Sequence, residues 1–240
     1  MRRMMEPLLV GKILKGLIVV DEVKKGIVMD AFGTVVYIDG PRHRPFRLIW
    51  EYLQQRGRLK QGAHPSAAMR QPFNLREAWD YWALPGTYIP AQRQWDKWNE
   101  MLNEEIASIR AYPEVIDALK EARFRGFKTA ICSNLAMPYA QGVLNVLGEN
   151  AVDAWIWSFN CQSIKPESSI YKNVESALDV SPFHIIMTGD SWEADVEAPR
   201  RQGWRSIYMD RSGLQNGALD LTEVLALAGL TRRSIQPKSK

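Results

Sequence analysis

Cysteine is scarce in this 240-residue chain: Cys132 and Cys161 are the only two. They lack the spacing of a metal knuckle, which leaves no cysteine-ligated zinc site, and they read as free thiols in a reducing compartment. Long apolar runs are also missing. No stretch approaches the ~18 uninterrupted apolar residues of a membrane-spanning helix. The run over residues 7–20 follows Arg2 and Arg3 and superficially resembles a secretory leader. Lys12 and Lys15 interrupt it, and no small-residue cleavage site follows. Residues 1–25 are therefore expected to form a loosely attached N-terminal arm. Internal repeats and low-complexity segments are absent too.

A basic folded body is the last thing lacking. The net charge is +4 and the sequence pI about 9.0, but the excess sits at the ends. Residues 1–25 hold six Lys/Arg against three acids, and residues 232–240 hold four Lys/Arg and no acid, so the rest of the chain is net negative. A nucleic-acid groove needs its positive charge on the folded body. The expected partner is a small anionic substrate, with no nucleic acid and no membrane, for a cytoplasmic monomer or homodimer. Residues 231–240 are expected to be a disordered basic tail.

What is present is ordinary globular material, with 46% hydrophobic and 24% charged residues. The length suits one large domain carrying a smaller insertion. Short apolar runs recur at residues 26–30 (GIVMD), 128–132 (KTAIC), 153–158 (DAWIWS), 183–188 (FHIIMT) and 205–209 (RSIYM). Helical patterns separate the later ones, at residues 113–125, 137–147, 168–178 and 192–202. Strands alternating with helices predict an α/β fold, a Rossmann-like parallel five-stranded sheet covered on both faces.

The gap between the first and second runs is too long for one crossover. It holds helical patterns at residues 45–55, 75–82 and 91–109. Trp79 and Trp82, like Trp95 and Trp98, are three apart and share a helix face; they form either a packed helical core or a ligand-facing aromatic wall. The expected organisation is an α/β core over residues 26–39 and 111–230 with an α-helical cap domain over 40–110.

Ligands of an open parallel sheet bind beyond the carboxyl ends of its strands. Strand one ends in Asp30-Ala31-Phe32-Gly33-Thr34 and strand two in Ser133-Asn134. Lys165-Pro166 lies a few residues past strand three, and strand four ends in Gly189-Asp190-Ser191, followed by Asp195. Asp190 also suits an N-cap, with Glu193 three residues on as in a capping box.

The stretches GIVMDAFGTVV, AICSN, SIKPESSIY and MTGDSWEADVEAPRRQGW resemble, in order, the motifs of the haloacid dehalogenase-like superfamily, over roughly residues 26–210. The resemblance is to the subfamily whose helical cap is inserted after the first motif. It implies a hydrolase with Asp30 as covalent nucleophile and Lys165 as the fixed positive charge beside it. Thr34, Ser133, Asn134 and Lys165 would bind the phosphate or other anionic group. Mg²⁺ would be held by Asp30, the Phe32 carbonyl and Asp190, with Ser191 and Asp195 supporting from behind. A carboxylate nucleophile splits one hard displacement into two easier ones. Two neighbouring carboxylates repel unless a cation lies between them, and hard oxygens suit Mg²⁺.

One position departs from the family's phosphatases. They carry a second aspartate two residues after the nucleophile as acid-base, and Phe32 occupies that place here. An aromatic there is natural in the family's dehalogenases, whose leaving halide needs no proton. Those enzymes use no metal, however, and lack an acidic ligand at the Asp190 position. Arg42, Arg44 or Arg47 would then be the halide-side arginine, or merely a solvated basic loop. The expected function is a Mg²⁺-dependent phosphohydrolase of a small phosphorylated metabolite. The alternatives are a metal-independent 2-haloacid dehalogenase and a weakly active or non-catalytic binding protein on the same fold.

Overall fold

The computed structural model describes residues 23–229, together with the antiparallel pair β1 (Ile13–Leu14) and β2 (Leu17–Ile18). The remainder of the arm expected over 1–25, up to Val23, and the tail expected over 231–240 lie outside the described residues.

Five parallel strands form the central sheet: β3 (Lys25–Met29), β6 (Phe127–Ser133), β7 (Ala154–Trp157), β8 (Ile185–Gly189) and β9 (Arg205–Tyr208). Their order is β7-β6-β3-β8-β9, which puts the first strand of the sheet at its centre. Alternation along β3 shows why it is apolar throughout. Ile27 and Met29 enter one core cluster and Val28 enters another on the opposite face. A strand buried on both sides needs apolar residues at every position.

Helices α5 (Val115–Phe124), α6 (Met137–Leu147), α8 (Ser168–Leu178) and α10 (Leu221–Ala228) carry buried residues in those two clusters. A single turn, α7 (Ser158–Cys161), follows β7. Two sequence expectations shift here. The fourth strand starts at Ile185, because residues Pro182–His184 form a 3-10 turn, where proline's fixed φ and missing N–H favour a turn over a ladder. The helix expected over 192–202 is instead a π-helical turn, Trp192–Glu197, followed by the short α9 (Ala198–Arg201). Pro199 cannot donate to the carbonyl of Asp195, so a regular helix is interrupted there.

Between the first two strands of the sheet the chain forms a separate antiparallel pair, β4 (Val36–Ile38) with β5 (Ile109–Ala111). Its ends frame four helices: α1 (Pro45–Gln55), α2 (Ala67–Arg70), α3 (Leu75–Trp82) and α4 (Gln92–Ala107). These helices have a hydrophobic cluster of their own, which meets the rest at Ala136 and Tyr139. Helix α3 begins with a full capping box of Asn74 and Glu77. Trp79, Trp95 and Trp98 pack edge to face, with ring centroids 5.6 Å (Trp79–Trp95) and 5.1 Å (Trp95–Trp98) apart. Contacts of this kind add about 0.5–1.5 kcal/mol each beyond area burial. All four tryptophans read from the sequence are thus core, and Trp82 also edges a cavity. Among the described residues no helix is long and apolar enough to cross a membrane.

Candidate active site

Asp30 is the first residue beyond β3, 8% exposed. Its N–H donates to the Thr188 carbonyl at 2.9 Å, which ties the end of β3 to that of β8. The sheet order brings Ser133 to the same edge from β6, and Asp190 follows directly on β8. Lys165 arrives from the loop between α7 and α8. Its Nζ donates to Asp30 Oδ1 at 2.7 Å and to Asp195 Oδ1 at 2.6 Å. Both this ammonium and Asp195 are buried.

Several expected residues acquire defined places. The Asn134 amide brackets the Lys165 backbone, accepting from its N–H at 2.7 Å and donating to its carbonyl at 2.8 Å. Asn134 therefore holds the lysine's loop in register with the end of β6. Asp195 is a direct partner of Lys165, and its other oxygen accepts from the Ser191 N–H at 3.0 Å. Ser191, not Asp190, is the N-cap of the π-helical turn, with Oγ accepting from the Ala194 N–H. Asp190 fails as a cap because β8 delivers it to the acid cluster. Ser133 and Thr34 are buried; the Thr34 carbonyl accepts from Arg211, and its hydroxyl has no partner among the described residues. The Phe32 ring meets Tyr139 edge to face, with centroids 6.2 Å apart.

Two glycines let the acids crowd. Gly33 has φ +82°, and a Cβ there would fall 2.1 Å from Asp190 Oδ2. At Gly189 a Cβ would fall 2.2 Å from Asp195 Oδ2. Carboxylate oxygens of Asp30, Asp190 and Asp195 consequently all lie within 4.8 Å of one another. Burial, and then the charge of Asp30, push the Asp190 carboxyl above the usual range. Burial also pushes Asp195 up to about 6, against the pull of Lys165. Burial works against the charge on Lys165, but Asp30 and Asp195 together outweigh it and hold its pKa above the ordinary value. Three carboxylates crowd together while the one buried ammonium pairs with only Asp30 and Asp195, so the cluster has the charge and the hard oxygen donors for a divalent cation.

Sequence reading missed two polar pairs beside this cluster. Glu105 is buried in α4; its carboxylate accepts from the Arg44 N–H at 2.7 Å and from the Tyr139 hydroxyl. Its signal was legible: buried Trp95, Trp98, Leu102 and Glu105 follow helical spacing, so a carboxylate stands in an apolar register. Arg70, in α2, grips Glu167, two residues from Lys165, with one contact at 2.9 Å. That arginine, foremost, lowers the Glu167 carboxyl to about 2.

A folded-state pKa below the unfolded one stabilises above the unfolded value and is lost as pH falls through the folded one. Arg70→Ala is therefore expected to lower stability at pH 7 by about 1 kcal/mol or less, since the pair is partly exposed. Urea midpoints for the two proteins should converge between pH 4.5 and about 2. A gap independent of pH would remove this ion pair as its cause.

The family model for haloacid dehalogenase-like hydrolases matches residues 24–203. A curated relative, Phosphatase MT3486 of Mycobacterium tuberculosis (strain CDC 1551 / Oshkosh), is 31% identical over 112 residues, 45% of this chain and 50% of that protein. Haloacetate dehalogenase H-2 of Moraxella sp. (strain B) is 28% identical over 114 residues, 47% of this chain and 50% of that protein. The chain thus spans about half the length of the curated relatives it matches. Among solved structures, a HAD phosphatase from Thermococcus onnurineus has the same fold, with a TM-score of 0.57 at 20% identity, covering 85% of this chain and 98% of that one.

Proposed function

The chain belongs to the haloacid dehalogenase-like hydrolases, and from that membership we propose a Mg²⁺-dependent phosphohydrolase acting on a small phosphorylated metabolite. The carrying observation is the cluster of Asp30, Asp190 and Asp195 around one buried Lys165. Asp195 is engaged on both oxygens, by Lys165 and by the Ser191 N–H, and we assign the ion to Asp30, Asp190 and the Phe32 carbonyl, the ligand set that the family resemblance implies. When bound, the ion screens the nucleophile from an anionic phosphate and offsets charge on the phosphoryl oxygens.

The rest falls to the chain's own groups. Asp30 attacks phosphorus as the bond to the leaving oxygen breaks, and that oxygen departs with the electron pair. Lys165 and Ser133 stabilise the transferring oxygens. Asp195 and Asn134 are positioning residues that aim Lys165. Water then attacks phosphorus, the bond to Asp30 breaks, and the aspartate is regenerated. The helical insertion, α1–α4, is the cap over this edge.

Asp190→Asn is expected to weaken Mg²⁺ binding strongly in calorimetry, and Asp195→Asn to weaken it less, as its role is indirect. Equal affinity in wild type and Asp190→Asn removes the metal from this reading. The broader test is a screen of phosphate esters and haloacids with and without Mg²⁺.

Phe32 favours a second reading, because it can neither protonate a leaving alcohol nor activate water, and a halide needs no such proton. If the enzyme is a phosphohydrolase, activated aryl phosphates should be cleaved far better than alkyl phosphates. A burst should precede a slower steady rate. Phe32→Asp should raise alkyl phosphate turnover, by at most about 10²–10⁴. Metal-independent halide release that vanishes in Asp30→Asn and falls in Phe32→Asp would establish the dehalogenase instead.

A further inference from the structure

A cavity of about 380 Å³ opens between the helical insertion and the sheet edge, within the range of small-molecule sites. Phe32 and Asn134, from the loops that carry Asp30 and anchor Lys165, form part of its wall. Arg42 stands at the same wall and is close enough to Asp190 to pull its carboxyl downward. Through Phe32 and Asn134 the wall of the cavity adjoins the loops that hold the reaction edge.

The chemistry of the wall is uneven. Ile38, Phe46, Met69, Trp82, Leu135 and Tyr139 make most of it apolar. The acceptors are already engaged: Glu105 by Arg44 and Tyr139, and Asn134 by the Lys165 backbone. A sugar or other polyol would find guanidinium donors at Arg42, Arg44 and Arg47 but few free acceptors for its O–H groups, and each buried hydroxyl left unpaired costs about 1–3 kcal/mol. A flat apolar ring has no such penalty. Arg42 and Arg44 have no carboxylate within ion-pair distance among the described residues, and they favour the approach of an anion.

We propose that this cavity binds the leaving group of an aryl phosphate, a phosphomonoester of a hydroxyl-poor phenol, rather than a polyol phosphate. This rests on the phosphohydrolase reading and names its substrate class. It also accounts for Phe32: a phenol, with pKa about 10, departs as its anion without an acid beside it. In the first step the Asp30 carboxylate forms a bond to phosphorus, and the aryl oxygen leaves with the bonding pair. In the second, water displaces Asp30 from phosphorus. One of its protons stays on phosphate and the other reaches the phenolate through solvent.

The experiment is calorimetry of the full chain in Mg²⁺ with phenylphosphonate, glucose 6-phosphate and inorganic phosphate, beside turnover of phenyl phosphate and of acetyl phosphate. Phenylphosphonate is expected to bind at least tenfold tighter than glucose 6-phosphate. Met69→Trp, which fills the cavity from α2, should weaken phenylphosphonate at least tenfold, while inorganic phosphate affinity and acetyl phosphate turnover stay within about twofold. Ile38→Trp repeats the test from β4 should the first variant fold poorly. Equal affinity for the two organic ligands, or phenylphosphonate binding untouched in a folded filled variant, overturns the proposal. Absence of acetyl phosphate and phenyl phosphate turnover together overturns the phosphohydrolase reading, while the binding comparison still decides the character of the cavity.

Discussion

Replacement of Asp30 by asparagine is expected to lower aryl phosphate turnover by about 10⁴-fold or more, as removal of a covalent nucleophile does elsewhere. The change is nearly isosteric, and the Asp30 N–H bond to Thr188 is untouched because it is made by the backbone. What disappears is the attacking charge and one of the two carboxylates assigned to Mg²⁺. Two measurements should therefore move together: steady-state turnover and covalent labelling of the chain by substrate in a rapid quench. The asparagine side chain can still accept from Lys165, so the fold should persist. A variant that keeps even a tenth of the wild-type rate would rule out Asp30 as nucleophile. Labelling of Asp30 by neither phosphate esters nor haloacids would favour a binding protein.

The largest stability effect should come from Lys165→Met. The methionine leaves Asp30 and Asp195 buried without their shared ammonium, with Asp190 close by. Removing one member of a buried charge pair costs about 3–5 kcal/mol, mostly because the remaining charge is stranded. For a chain of this size that is a fall in melting temperature of about 10 °C. A further sign distinguishes charge from packing: Mg²⁺ should restore more of the loss here than it adds to wild type, since the cluster has become more negative. A melting temperature within about 2 °C of wild type would show that the acids tolerate the loss of their cation.

The five-stranded sheet was legible because its strands are apolar, short and separated by amphipathic helices. Residues 45–55, 75–82, 137–147 and 168–178 are helices with the predicted bounds. The strand ends were legible too, since parallel topology sends Asp30, Ser133 and Asp190 to one edge whatever the details. The antiparallel pair of β4 and β5 was not, because three-residue strands leave almost no period to read. Nor was the task of Asn134, since its partner is a backbone 31 positions away. Sequence spacing favoured Asp190 over Ser191 as a cap; the pull of the site decided otherwise. The Arg70–Glu167 pair joins residues 97 apart, and its members are individually ordinary surface charges.

The tryptophan-rich insertion also makes the molecule an optical instrument. Trp79, Trp95 and Trp98 are locked edge to face at fixed distances, so their near-ultraviolet transitions couple and should give strong circular dichroism that vanishes when the helices part. Trp82 is different: it packs edge to face on Trp50, at 5.4 Å, and borders the cavity. A ring entering there alters the surroundings of one indole while leaving the other three in place. Ligand arrival and unfolding of the helical insertion should therefore be distinguishable in the same untagged protein, the first as a change in emission with the dichroism intact, the second as loss of both.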